Sequence, residues 1–175
     1  VEPLPNGNIL VIVWEKKTAA EAYAVGRQSI DNSLNVIWSE AILELEPIGA
    51  NEANVVWEWH IWDHLVQDVD PDLPNYGIIA DHPELQDINY GNAGGNGGPG
   101  GANGDWKHFN AIAYNENLDQ IALSSRYHDE IYIIDHSTTS EEAAGHTGGN
   151  SGKGGDFLYR WGTVSYTHLT LPTKG

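Results

Sequence analysis

The sequence predicts an all-β protein assembled from short antiparallel strands. Three observations lead there. Runs rich in β-branched and aromatic residues recur between turn residues, helical periodicity is almost absent, and one order of strand types occurs twice.

The elements follow in order. Asn8–Trp14 (NILVIVW) is a strand launched by the turn Pro5-Asn6-Gly7-Asn8. Thr18–Val25 (TAAEAYAV) is the best helical candidate, a short Ala-rich stretch between two strand-like runs. Ala41–Glu46 and Asn54–Ile61 are the next strands. His108–Tyr114 and Gln120–Ser125 form a pair across the turn Asn115–Asp119, followed by Glu130–Asp135 and Phe157–Trp161. Laid side by side, NILVIVWE takes the place of QIALSSRY, AILELEP that of EIYIIDH, and VVWEWH that of FLYRWG, with Trp59 matching Trp161. Short antiparallel strands closed by an aromatic strand are the rhythm of β-propeller blades. An ordinary β-sandwich with coincidental Trp placement is the alternative.

Two blade units are therefore expected, at about 4–61 and 105–162, separated by a long Gly-rich insertion at 62–104. The insertion ends in GNAGGNGGPGGANG. By composition this run, like GHTGGNSGKGG at 145–155, reads as a flexible loop.

Composition narrows the function classes. The 175 residues, 40% hydrophobic with seven Trp, suffice for one globular domain with a real core. Acidic residues number 25 against 8 basic, and a net charge of −17 repels nucleic acid and anionic membranes. No apolar run approaches a membrane span. The absence of Cys excludes disulfides, thiolate catalysis and Cys-ligated zinc. The chain opens at Val1, contains no Met and shows no signal peptide, so it reads as a fragment.

Most motifs dissolve on inspection. Gly95, Gly97 and Gly100 satisfy G-x-G-x-x-G, but no strand precedes them, no helix follows, and Pro99 interrupts. Gly152-Lys153 lacks the flanking residues of a phosphate loop. His60 and His64 have the spacing of a zinc helix without its Glu, and read as surface or loop histidines. Asp68, Asp70 and Asp72 alternate as in a calcium loop, yet Pro71 breaks the pattern. His82, His128, His136 and His146 read as plain polar residues. No cofactor and no metal is called for.

One stretch keeps its interest. In DWKHFNAIAY, alternation puts His108, Asn110, Ile112 and Tyr114 on one face and Phe109, Ala111 and Ala113 on the other. Arg126 ends the partner strand, so His108, Asn110 and Arg126 converge at one sheet end. Imidazole, amide and guanidinium suit a tetrahedral oxyanion such as sulfate or phosphate. Pairing of Arg126 with Asp105 or Asp129 stands level with that reading.

LPNGNILV, VVWEWHIWDHL, DWKHFNAIAYNENLDQIALSSRYHDEIYIIDHS and GDFLYRWG resemble the bacterial arylsulfotransferase family, over about residues 4–162. The resemblance implies a β-propeller, typically six-bladed, exported to the periplasm or secreted. Such proteins move a sulfuryl group from an aryl sulfate to a phenolic acceptor through a sulfated histidine, without a nucleotide sulfate donor. His108 matches the active-site His of D-W-x-H-x-N, Asn110 its companion, and Arg126 the Arg of S-S-R. The resemblance makes Arg126 the holder of the sulfuryl oxygens. His108 then binds or protonates the departing phenolic oxygen, and Asn110 orients it.

The departures are equally specific. The family's nucleophilic His lies beyond the place of Trp161-Gly162, and another active-site His lies before L-P-N-G-N. His168, in SYTHLTLPT, has no family likeness, and residues 163–175 read as a non-native read-through tail. The chain is thus expected to be an internal piece of about two blades, inactive alone. A non-catalytic propeller serving as a binding scaffold is the rival reading. A quinone-dependent propeller dehydrogenase is a second, for which no residue here asks.

Overall fold

Two four-stranded antiparallel sheets account for most of the computed structural model, which describes residues 1–97 and 100–162. The read-through tail and His168 lie outside the described residues. The first sheet comprises β1 (Glu2–Pro3), β2 (Ile9–Thr18), β3 (Val36–Ile48) and β4 (Glu52–His60), side by side in chain order. β1 and β2 are joined by the expected turn. Asn6 Oδ1 accepts from Asn8 N at 2.9 Å, Leu4 N donates to Asn8 O at 2.8 Å, and Gly7 adopts φ +92°. The helix α1 (Ala19–Ala24) starts at a capping box: Thr18 Oγ1 accepts from Glu21 N, and the Glu21 carboxylate accepts from Thr18 N.

The segment between the sheets carries a parallel pair, β5 (Leu65–Val66) with β6 (Gln86–Asp87), and single 3-10 turns at Ile61–Asp63 and Ile79–Asp81. The second sheet repeats the order of the first, with β7 (Phe109–Asn115), β8 (Gln120–Ser125), β9 (Glu130–Asp135) and β10 (Tyr159–Gly162). A four-residue helix, α2 (Ser140–Ala143), lies between β9 and β10 and opens on its own capping box, Thr139 with Glu142.

One core serves both sheets: Leu10, Ile42 and Trp59 from the first share a cluster with Ile121, Leu123 and Tyr132 of the second and with Phe157, which precedes β10. The buried indoles satisfy their N–H groups. Trp57 donates to Thr138 Oγ1 (3.1 Å), Trp59 to Gly155 O (2.7 Å) and Trp106 to Tyr90 O (2.8 Å).

The repeat differs from the expected alignment by one residue. Trp59 is fully buried opposite Ile42, whereas Trp161 is 54% exposed opposite Ile131. The buried position of β10 belongs to Arg160, opposite Tyr132, because Glu130 neutralises its guanidinium there.

The Gly-rich runs also correct their composition-based reading. Gly94 N donates to Asp105 O (2.6 Å), and Gly95 and Asn103 exchange backbone bonds at 3.2 and 3.0 Å. Gly94 sits at φ +68°, and a Cβ there would stand 1.9 Å from Asn103 O, so glycine is required for the closure. In 145–155, Ser151 N is held by Asp135 Oδ2 (2.8 Å) and Gly155 N by Gly145 O (3.0 Å). The described residues of both runs are hydrogen-bonded to the body of the protein.

Candidate active site

The DWKHFN segment is placed before its strand begins. Trp38 N, at the start of β3, donates to Gly104 O (2.7 Å), laying residues 104–108 beside the first sheet. Trp106 and Lys107 then turn inward, both fully buried. His108 turns outward by adopting φ +53°, a left-handed conformation that few non-glycine residues occupy. Three bonds hold it there: His108 N donates to Glu40 Oε1 (2.7 Å), Arg126 N donates to His108 O (3.1 Å), and His108 Nδ1 meets Asp105 Oδ2 at 2.5 Å. Strained conformations that the surroundings over-determine in this way cluster at functional sites.

A bulge follows at once. Phe109 opposes Ser125 and Ala111 opposes Ser124, leaving Asn110 as the extra residue on β7. This corrects the simple alternation. Phe109 is buried, on the side of the half-buried Ile112 and Tyr114, while Asn110, Ala111 and Ala113 are exposed. The bulge lets Phe109 reach the core and frees the Asn110 amide.

The three sequence-predicted residues meet at this sheet end in two groups. Asn110 and Arg126 line one cavity of about 360 Å³, with Ser124 and Asp129. His108 sits against Tyr127 at 5.1 Å between ring centroids, and the Arg126 guanidinium lies 5.7 Å over that same Tyr127 ring. Neither carboxylate considered as a partner for Arg126 makes an ion pair with it among the described residues, and Asp105 is engaged with His108. Since a carboxylate only accepts, Asp105 fixes the proton on His108 Nδ1 and presents Nε2 outward. Asp105 and Tyr127 also border a second cavity of about 400 Å³, walled by Gly94, Gly95 and Asn103 of the Gly-rich run.

Beneath this surface lies a charged network that strand patterning does not show. Lys107 Nζ donates to Gln86 Oε1 (2.6 Å) and Tyr132 Oη (2.8 Å) and meets His128 Nδ1 at 2.9 Å, so its three protons have three partners. Burial pushes the Lys107 ammonium well below its ordinary pKa, with Arg160 acting in the same direction. Burial first, then Lys107, pushes His128 down as well, so its neutral ring accepts from the ammonium. Arg160 binds Glu130 through Nε (3.0 Å) and a terminal nitrogen (2.7 Å).

Glu40 is the other residue that patterning passed over, a carboxylate inside the apolar run VIWSEAIL. Burial raises its pKa to about 7, with Asp105 adding and Lys107 opposing. A raised folded-state pKa gives stability that is present in full below the unfolded value of 4.5 and is lost as pH rises through about 7. Glu40→Gln is therefore expected to flatten the fall in urea stability between about pH 5 and about pH 8. Equal slopes in both proteins would contradict the buried-acid assignment.

The other histidines are not idle polar groups. His60 contacts Glu15 (3.2 Å), away from buried His64, which bonds Asp156 (2.8 Å), so the two do not share a site. His128 is buried, and His136 is clamped between Glu44 (2.9 Å) and Asp119 (2.7 Å). Asp68, Asp70 and Asp72 lie exposed on their loop, where Asp70 Oδ1 accepts from Asp72 N (3.0 Å).

Residues 1–141, which include the whole His108–Arg126 arrangement, match the family model of arylsulfotransferase (ASST). The chain belongs to the arylsulfotransferase family. No curated protein and no solved structure matches it. Within this arylsulfotransferase-family chain, sequence reading singled out His108, Asn110 and Arg126 and named Asp105 only as a partner for Arg126, while it passed over Glu40 and Lys107. Asp105 was legible as a partner for His108 from its i, i−3 spacing across a tight turn. The other two depend on contacts across the fold.

Proposed function

We propose that this sheet end is part of a site that transfers a sulfuryl group from an aryl sulfate to a phenolic acceptor, by way of a sulfated histidine and without a nucleotide donor. We read the two four-stranded sheets as propeller blades, and their second-sheet mouth as one wall of the channel. The observation that carries the reading is the Arg126 guanidinium beside Asn110, with no carboxylate paired to it among the described residues. In a protein with 25 acidic residues, a cation left open at a cavity favours an anion.

The chemistry divides accordingly. As the bond between sulfur and the aryl oxygen breaks, the electron pair leaves with that oxygen and the sulfuryl group passes to a histidine nitrogen. Arg126 and Asn110 donate to the sulfuryl oxygens, where planar donors match the spreading charge. His108 Nε2 gives a proton to the departing phenolate, and Asp105 stabilises the imidazolium that precedes transfer. In the second half the acceptor phenol returns its proton to Nε2 as its oxygen takes the sulfuryl group.

An aromatic platform supports the aryl substrate. Trp14, 54% exposed, lies 5.2 Å from Trp38 and 6.3 Å from the His108 ring, and Tyr127 is 50% exposed on the other side. Trp14→Ala is expected to weaken binding of an aryl sulfate up to about tenfold while leaving inorganic sulfate binding unchanged, in line with the worth of one aromatic contact. Equal loss for both ligands would remove Trp14 from the aryl site.

The reading is tested by calorimetric titration of the chain with 4-nitrophenyl sulfate. Saturable binding that disappears in both Arg126→Ala and Asn110→Ala is the expected result. Binding unaffected by either substitution would refute the site.

A further inference from the structure

We propose a second site, independent of sulfuryl transfer: His64, His146 and Asp156 bind one divalent transition-metal ion of the zinc class. Their donor atoms all lie within 4.8 Å of one another. His64 Nδ1 stands 2.8 Å and His146 Nδ1 2.7 Å from the same oxygen, Asp156 Oδ1. The other nitrogen of His64, Nε2, lies 2.8 Å from Ala143 O. A carbonyl only accepts, so Nε2 carries a proton, and Nδ1 is the ring atom that faces the carboxylate. A proton on Nδ1 satisfies this contact as an ion pair, and a divalent cation that displaces that proton would be bound by the same two atoms and by His146 Nδ1. A histidine that gives its remote N–H to a backbone carbonyl is oriented as metal-binding imidazoles are.

The surroundings hold the donors in place. His64 is fully buried and stacks on Trp59 at 5.7 Å and an interplanar angle of 7°. Trp59 Nε1 in turn bonds Gly155 O, fixing the residue next to Asp156. Gly155 accepts no side chain, since a Cβ would stand 2.0 Å from Ala143 O. His146 is the exposed partner, its side chain 59% exposed at the edge of a cavity of about 350 Å³ shared with Asp63 and His82. Ligands about 2.0–2.2 Å from a tetrahedral ion sit roughly 3.3 Å apart, so the two spacings to Asp156 Oδ1 need open by less than an ångström. Two imidazoles and a carboxylate suit zinc and its neighbours and leave a position for water from the cavity. His146 and Asp156 lie beyond the residues that match the family model.

The test uses the whole chain, made without a histidine tag, stripped with chelator and titrated with Zn²⁺ and Co²⁺. The proposal expects one equivalent bound, a Co²⁺ visible spectrum of low coordination number, and a higher melting temperature with Zn²⁺. His146→Ala should keep the far-ultraviolet circular dichroism and lose about tenfold or more in affinity. His82→Ala, on the same cavity, should bind as the unaltered chain does. Absence of stoichiometric binding, or equal affinity in His146→Ala, would overturn it.

Discussion

Glu130→Leu is expected to cost about 3–5 kcal/mol of folding stability, the range for removing one partner from a buried ion pair. Glu130 is 2% exposed and takes three close contacts from Arg160, at 3.0, 3.0 and 2.7 Å, and one from Tyr132 Oη at 2.5 Å. Its charge also supports Lys107, fully buried nearby. Leucine would leave the Arg160 guanidinium, 3% exposed, buried without its carboxylate. Against a typical total of about 5–15 kcal/mol, that is a large share. Urea unfolding checks it, and Glu58→Gln, on an exposed part of β4, should move the midpoint little. Adding Arg160→Leu to Glu130→Leu should recover part of the loss, because an apolar pair avoids the desolvation that the ions suffer. A double variant less stable than Glu130→Leu alone would mean that Arg160 contributes chiefly through its bond to Leu85 O.

What the sequence disclosed follows from where each signal lives. β8 and β9 have the predicted bounds because their alternation and their flanking turns are local. The helix was recognisable from its Ala-rich composition, and the Thr18–Glu21 capping box that starts it lies within one turn. The bulge at Asn110 was not legible, since one extra residue leaves no mark on composition and its effect is to reverse the alternation that precedes it. Nor was the left-handed His108, whose conformation depends on Glu40, 68 residues away. Buried charges fail for the same reason: Arg160 reads as a surface residue until Glu130 is placed across the sheet. Glycine runs mislead in the opposite direction. Composition reads Gly94 as flexibility, while the fold uses it for a backbone approach that no side chain allows. At the site, the chemical groups were visible in the sequence, whereas their grouping, with Asp105 taken by His108 and Arg126 left open, was a property of the folded loop.

In an active sulfotransferase that contains this chain, Arg126→Ala should lower turnover of an aryl sulfate on the order of a hundredfold or more, as loss of a donor to transition-state charge commonly does. Folding stability should change by no more than about 0.5 kcal/mol, because the side chain is exposed and its guanidinium only overlies Tyr127. The split between these two readouts is what identifies the role. A structural arginine such as Arg160 would lose both together. Arg126→Lys should restore part of the rate but not all, since an ammonium supplies charge without the planar pair of donors that fits two sulfuryl oxygens. The loss should fall mainly on kcat: the sulfuryl oxygens carry negative charge in the ground state, and Arg126 is proposed to gain strength as that charge redistributes. A variant with a raised KM and unaltered kcat would make Arg126 a docking group alone. Unchanged turnover in Arg126→Ala would remove it from the chemistry, and with it the observation on which the sulfuryl-transfer assignment of this sheet end rests.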